Sequence, residues 1–204
     1  MSTGFKFIQL ILRSFMSILY EVELVGVENV PKEGAIIVCS NHLSNFDPIL
    51  LGAFLPRHIY FMAKRELFRI PVVGQLMKLL GAFPVNREAV EITSIKVALQ
   101  TLKEGRALGI FAQGGRETKP LKEDEGKAGV AMFAVRGSAP VLPIGVQGSF
   151  RMFTKLVVNI GKPMHFDDNQ EDGKKMKSAE LAVLTKEVML EIKRLSVESV
   201  SILD

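Results

Sequence analysis

A chain of 204 residues that is 48% hydrophobic and 24% charged has enough apolar material for one sizeable core and is not disordered. The net charge of +4 suits an anionic substrate, an anionic membrane surface or an acidic protein partner. With no basic-aromatic repeat beside it, that charge is too small to indicate nucleic acid. The single cysteine, Cys39, excludes an internal disulfide and any CxxC zinc or redox motif.

The first predicted element is a helix over residues 5–20, FKFIQLILRSFMSILY. It is shorter than the roughly 20 apolar residues that a span needs, and Lys6, Gln9 and Arg13 interrupt it. With Ser17 these residues recur at steps of three and four, which draws one polar stripe along a helix. The remaining arc, with Phe5, Phe7, Ile8, Leu10, Ile11, Leu12, Phe15 and Met16, is broad and bulky, as in a helix lying in the plane of a membrane surface. The alternative is an N-terminal helix packed on its own domain. No small-residue cleavage site follows the segment, as a cleaved secretion signal would require.

Strands and helices then alternate. Strands are predicted over 22–27 (VELVGV) and 35–40 (AIIVCS), and a helix over 48–55, where Pro48 is tolerated in the first turn. A strand at 58–63, a helix at 71–81 closed by Gly81, and a short strand at 82–85 follow. The helix predicted over 91–104 turns Ile92, Ile95, Leu99 and Leu102 to one face. A strand at 107–112, a helix at 127–137, strands at 140–148 and 155–161, and a long helix over 178–195 complete the series. In the last helix Leu181, Leu184, Val188, Ile192 and Leu195 face inward. Such alternation predicts an α/β fold with a mixed, largely parallel sheet flanked by helices. The loops at 41–47, 86–87 and 113–116 all follow strands, where ligands sit in open α/β sheets.

The loop NHLSNFDP, residues 41–48, sets His42 five positions before Asp47. Five residues make about 1.4 helical turns, so a regular helix would hold the two apart. A turn leading into a helix lets the aspartate fold back on the imidazole, accept the Nδ1 proton and leave Nε2 to take one. That is a base with its orienter, and a substrate hydroxyl can serve as the nucleophile. Taken alone, the stretch reads rather as a helix start, because Ser44-x-x-Asp47 resembles a capping box. Arg87 and Arg116 also follow strands, Arg116 directly after the Gly114–Gly115 turn, where backbone N–H groups can approach an anion. Arginine grips phosphate through a planar fork, and Lys64 and Lys127 add charge. Each basic residue also has an ordinary reading as a solvated surface side chain. Cys39, inside an apolar strand, reads as a small buried hydrophobe rather than a nucleophile. His58 and His165 have no partners at metal-ligand spacing, so no metal site is expected.

Four motifs in order over roughly residues 20–165 resemble the 1-acylglycerol-3-phosphate acyltransferase family. NHLSNFDP resembles the family's H-x4-D motif. GAFPVNR ends in Arg87, FAQGGR spans 111–116, and APVLPIGV at 139–146 resembles the proline-containing apolar strand. MAKRELF (62–68) and KAG (127–129) resemble the segments between motifs. The chain departs from the family's F-P-E-G-T-R, with Ala112 for proline, Gln113 for glutamate and Gly115 for threonine, and Asn86 stands where aspartate is common. Gln113 keeps the length and hydrogen-bonding capacity of glutamate without its charge.

The resemblance implies an acyltransferase domain over 21–204 behind a membrane-interfacial helix over 1–20. It implies transfer of an acyl chain to the free hydroxyl of lysophosphatidic acid, from an acyl carrier protein or coenzyme A thioester as co-substrate and with no cofactor. His42 and Asp47 would be catalytic, and Lys64, Arg87, Gln113, Gly114, Gly115, Arg116 and Lys127 would bind substrate. The expected location is the cytoplasmic face of the cell membrane, peripheral or monotopic, through residues 5–20. The other readings are a catalytically impaired lipid-binding relative, or an acyltransferase for glycerol 3-phosphate or another lysolipid.

Overall fold

The computed structural model describes residues 3–71, 73–85, 92–111, 129–166 and 176–197. Seven strands form one sheet in the order β1-β7-β6-β2-β5-β3-β4: β1 (Tyr20–Val25), β2 (Ile36–Ser40), β3 (Ile59–Lys64), β4 (Phe83–Val85), β5 (Ala107–Phe111), β6 (Val141–Gly148) and β7 (Thr154–Ile160). Five strands run parallel, while β7 is antiparallel to β6 and parallel to β1. The mixed, largely parallel sheet expected from the alternation is the one observed. The central strands β2 and β5 read as continuous apolar runs, IIVCS and ALGIF, because helices cover both faces.

Two apolar clusters fill those faces. On one, Ile36 and Val38 pack with α2 (Asp47–Phe54) and with Leu12 and Met16 of α1 (Thr3–Leu19). On the other, Ile37 and Cys39 pack with α4 (Ile92–Lys103), α5 (Gly129–Arg136) and α6 (Ser178–Val197). Cys39 is thus a small buried core residue. A Cβ placed at Gly145 would collide with the backbone of Leu195, so this glycine lets α6 lie directly on β6. The short helix α3 (Val73–Leu79) ends before Gly81, whose φ of 76° makes the left-handed turn into β4.

Two expectations about helix faces need correction. Helix α1 is not apolar toward one environment only. Phe5, Leu12 and Met16, placed by the sequence on a single outward arc, are buried in the domain. Gln9, placed on the polar stripe, points inward, and its Nε2 donates to the carbonyls of Gly52 (3.0 Å) and Leu55 (2.8 Å) at the end of α2. The opposite side of α1 still exposes Phe7, Leu10, Ile11, Phe15 and Ile18. In α4 the buried face is Ser94, Ala98, Thr101 and Leu102, and Ile92, expected inward, is 71% exposed. Small side chains hold this seam because the layers approach closely: a Cβ at Gly137 would come within 2.5 Å of Leu102 Cδ1.

Candidate active site

Strand β2 ends at Ser40, and the next residue continues its ladder with a side chain instead of backbone. The Asn41 amide donates from Nδ2 to Val146 O (3.0 Å), and its Oδ1 accepts from Val146 N–H (2.8 Å). A primary amide has the donor–acceptor pair of a peptide group, so β6 stays satisfied while the main chain turns away. The turn carries His42 to the carboxyl ends of the strands, where it is 4% exposed.

Asp47 opens α2, and one of its oxygens serves both readings of the loop. Oδ2 accepts the Ser44 backbone N–H at 2.8 Å, which closes the turn before the helix, and lies 2.7 Å from His42 Nδ1. The Asp47 amide in turn donates to Ser44 O at 3.1 Å. Helix start and base–orienter pair are therefore one structure. With Nδ1 donating to the carboxylate, Nε2 is the nitrogen left to accept a proton. Asp47 is fully buried, and its other oxygen, Oδ1, has no hydrogen-bond partner among the described residues.

The imidazole is also held flat. Its ring stacks on Phe111, the last residue of β5, with centroids 4.0 Å apart and planes 14° apart. Phe61 of β3 stacks on Phe111 in turn at 5.8 Å and 11°. Gly109 makes room for this, because a Cβ there would run into the Phe61 ring. Sequence reasoning missed both aromatic residues as parts of the site. Phe111 opens the FAQGGR stretch, which was the available signal, but the partner of its ring lies on another strand.

His42 lines a cavity of about 980 Å³. Its walls are mostly apolar, with Leu43, Ile49, Phe61, Leu67, Leu76, Met77 and Leu80, and its polar groups include Asn45, Lys64 and Glu66. Lys64 ends β3 and stands 3.8 Å from Glu66, both about half exposed, a pair that leaves the ammonium accessible. The structure thus brings together His42, Asp47 and, on the cavity wall, Lys64. Arg87, Gln113, Gly114, Gly115, Arg116 and Lys127 lie outside the described residues. Strand β4 ends at Val85, opposite Lys64 in the ladder and two positions before Arg87 in the chain.

Among the described residues one other basic side chain is hidden from water, Arg57, which was not singled out from the sequence. It sits at the amino ends of β2 and β5, away from this cavity, and donates to the carbonyls of Pro31, Glu33, Gly34 and Gly105 at 2.8–3.4 Å. His58 is sandwiched between Phe5 (3.8 Å) and Tyr60 (4.4 Å), with Nε2 3.0 Å from Leu80 O. Burial pushes its pKa below the ordinary histidine value, against the opposing pull of the Leu80 carbonyl.

A family model described as Acyltransferase matches residues 21–147. Over 200 residues the chain is 35% identical to the 1-acyl-sn-glycerol-3-phosphate acyltransferase of Bacillus subtilis, covering 94% of this chain and 96% of the relative. The enzyme of the same name from Borreliella burgdorferi is 28% identical over 148 residues, 68% of this chain and 56% of that one. The crystal structure of the 1-acyl-sn-glycerophosphate acyltransferase from Thermotoga maritima matches with a TM-score of 0.72 at 25% identity. That match covers 95% of this chain and 82% of the other.

Proposed function

The chain belongs to the acyltransferase family, and from that premise we propose that it moves an acyl chain from a thioester to the free hydroxyl of 1-acylglycerol 3-phosphate, giving phosphatidic acid. The observation that carries the reading is the buried contact of 2.7 Å between His42 and Asp47 beside a large apolar cavity. His42 Nε2 takes the proton of the acceptor hydroxyl as its oxygen attacks the thioester carbonyl. Asp47 fixes the tautomer and steadies the imidazolium. The tetrahedral intermediate then expels the thiolate, which takes the proton back from the imidazolium, so the ester forms, the thioester breaks and the protein ends unchanged.

Arg87, Arg116 and Lys64 hold the acceptor phosphate, with Gln113 hydrogen-bonding the acceptor beside the Gly114–Gly115 turn and Lys127 adding positive charge. Binding at the phosphate positions the hydroxyl near His42, a contribution of several kcal/mol, of the ~7–11 kcal/mol available to well-oriented reactants. The apolar cavity receives an acyl chain. The donor is an acyl carrier protein or coenzyme A thioester, and no cofactor is needed.

The acceptor is a membrane lipid, so the protein works at the bilayer surface, on the cytoplasmic face where thioesters are found. The outer face of α1, within residues 5–20, provides the contact. Phe7, Leu10, Ile11, Phe15 and Ile18 are exposed there, with Lys6 and Arg13 beside them. Among the described residues no helix is long and apolar enough to cross a membrane.

The test is an acceptor panel with the full chain and an acyl thioester: 1-acylglycerol 3-phosphate, glycerol 3-phosphate and a lysolipid lacking a terminal phosphate. Turnover is expected with the first alone. Preference for glycerol 3-phosphate would reassign the acceptor, and thioester consumption with none of them would leave a binding protein. Arg87→Ala and Arg116→Ala should each raise the KM for the acceptor more than that for the thioester.

A further inference from the structure

Two large apolar side chains stand in water beside α1 without belonging to it. In the loop between β6 and β7, Met152 is 65% and Phe153 80% exposed. The loop lies at the carboxyl edge of the sheet, since β6 runs on from Ile144, the partner of Ser40, to Gly148. Its geometry is built. Phe153 N–H donates to Leu19 O, the end of α1, at 2.7 Å. The Thr154 hydroxyl is within hydrogen-bond distance of the carbonyls of Ser149 (2.5 Å) and Arg151 (2.7 Å). Phe150 packs inward between Tyr20 and Phe46 at 5.7 and 6.4 Å, and Phe46 lines the mouth of the His42 cavity.

Phe153 itself has a φ of 63°, a left-handed backbone that bulky residues rarely adopt. In water this conformation aims an apolar ring at solvent and gains no burial to offset it. The surroundings suit one occupant. Neither residues 3–19 nor residues 149–153 include an aspartate or glutamate, while Lys6, Arg13 and Arg151 are exposed. Glu21 and Glu23 of β1, just past this surface, are set against Lys155, so bulky apolar tips beside cations match an anionic phospholipid surface.

We propose that the β6–β7 loop is a second membrane contact, in which Met152 and Phe153 enter the boundary between headgroups and acyl chains beside the outer face of α1. A helix lying on a surface can roll about its axis, and a second contact fastened to its end prevents that. The mouth of the cavity at Phe46, tied to the loop through Phe150, is then held toward the lipid. The proposal rests on the reading that the acceptor is taken from a membrane.

The chain has no tryptophan, so Phe153→Trp makes a single fluorescent reporter at the tip. With the full chain and vesicles of phosphatidylglycerol and phosphatidylcholine, its emission should shift to the blue and be quenched by brominated lipid. Phe153→Asn, which tolerates the left-handed backbone, should weaken vesicle binding about tenfold, as expected for withdrawing one large apolar side chain from lipid. It should not lower the melting temperature, and it should leave turnover of a short-chain, water-soluble acceptor unchanged. Unshifted emission from the Phe153→Trp variant, on vesicles to which it is bound, would overturn the loop's role while leaving α1 as the contact. Absence of any vesicle binding would overturn both contacts, and turnover of the soluble acceptor would then still support the enzymatic reading. A blue shift that follows protein concentration without vesicles would assign the surface to a second copy of this chain.

Discussion

Arg57 and His42 are almost equally hidden from water, at 8% and 4% exposure, and they occupy opposite ends of the central strands. The guanidinium of Arg57 meets four backbone carbonyls, which tie the turn before β2 to the turn before β5. Nothing around it is left to do. At the other end His42 gives Nδ1 to Asp47 and borders a large cavity, while Asp47 keeps one buried oxygen without a partner among the described residues. A buried polar group saturated by backbone holds the fold together, whereas one left with capacity beside open space is equipped for chemistry.

Substitution should separate the two ends, and the largest effect is expected at His42. His42→Ala should reduce turnover by about 10²–10⁴-fold in a protein that still folds, a loss far beyond what any lowering of the melting temperature would produce. Asp47→Asn should also be severe, since an amide favours the wrong tautomer. Initial rates and melting curves on the same preparations check both, and near-normal turnover in His42→Ala would erase the contrast. Arg57→Met should do the reverse. These carbonyls lie on residues at or near the surface, where water can replace the donor, so the loss is that of the hydrogen bonds themselves, about 0.5–1.5 kcal/mol each, and a drop of about 2 kcal/mol is expected in denaturant unfolding. Activity per folded molecule should hold.

A smaller effect should show how the base is held. Phe111→Leu removes the ring under His42, and aromatic contacts contribute about 0.5–1.5 kcal/mol beyond their burial. A fall in kcat of up to about tenfold with little change in KM is expected, restored in part by Phe111→Tyr. The smallest effect concerns His58, a partly buried group near the other end of the sheet from His42. Its folded pKa is depressed, chiefly by burial, so near and below the ordinary value of about 6.5 the unfolded chain binds a proton that the folded one does not. Stability should therefore fall as pH drops through that range, and the loss should stop growing below the folded pKa. Unfolding free energies at about pH 7.5 and 5.5 should diverge less in His58→Gln than in the unaltered protein.

The His42–Asp47 contact was legible because both partners lie within one short stretch that turns into α2. Gln9 was not legible, since its partners Gly52 and Leu55 are 43 and 46 positions away and only folding brings them near. The same holds for Phe61, which reaches the site through Phe111. Arg57 looked like any surface arginine, because its carbonyl partners have no signature in side-chain pattern. The inner face of α4 was misjudged at Ile92, since periodicity weighs bulk and this seam selects the small residues Ser94 and Ala98. The alternation of strands and helices gave the sheet itself, as apolar runs between glycine and proline turns are local features.

Asn41 has a consequence for the timing of synthesis. Its clamp on Val146 joins positions 105 apart, so the histidine leaves the ribosome long before the strand that fixes its turn has been made. At roughly 5–20 residues per second the interval is about 5–20 s. Throughout it the nascent chain carries the complete H-x4-D stretch but no β6 to pair with. A polypeptide released early, anywhere before β6, would carry His42 and Asp47 without the strand that fixes their turn.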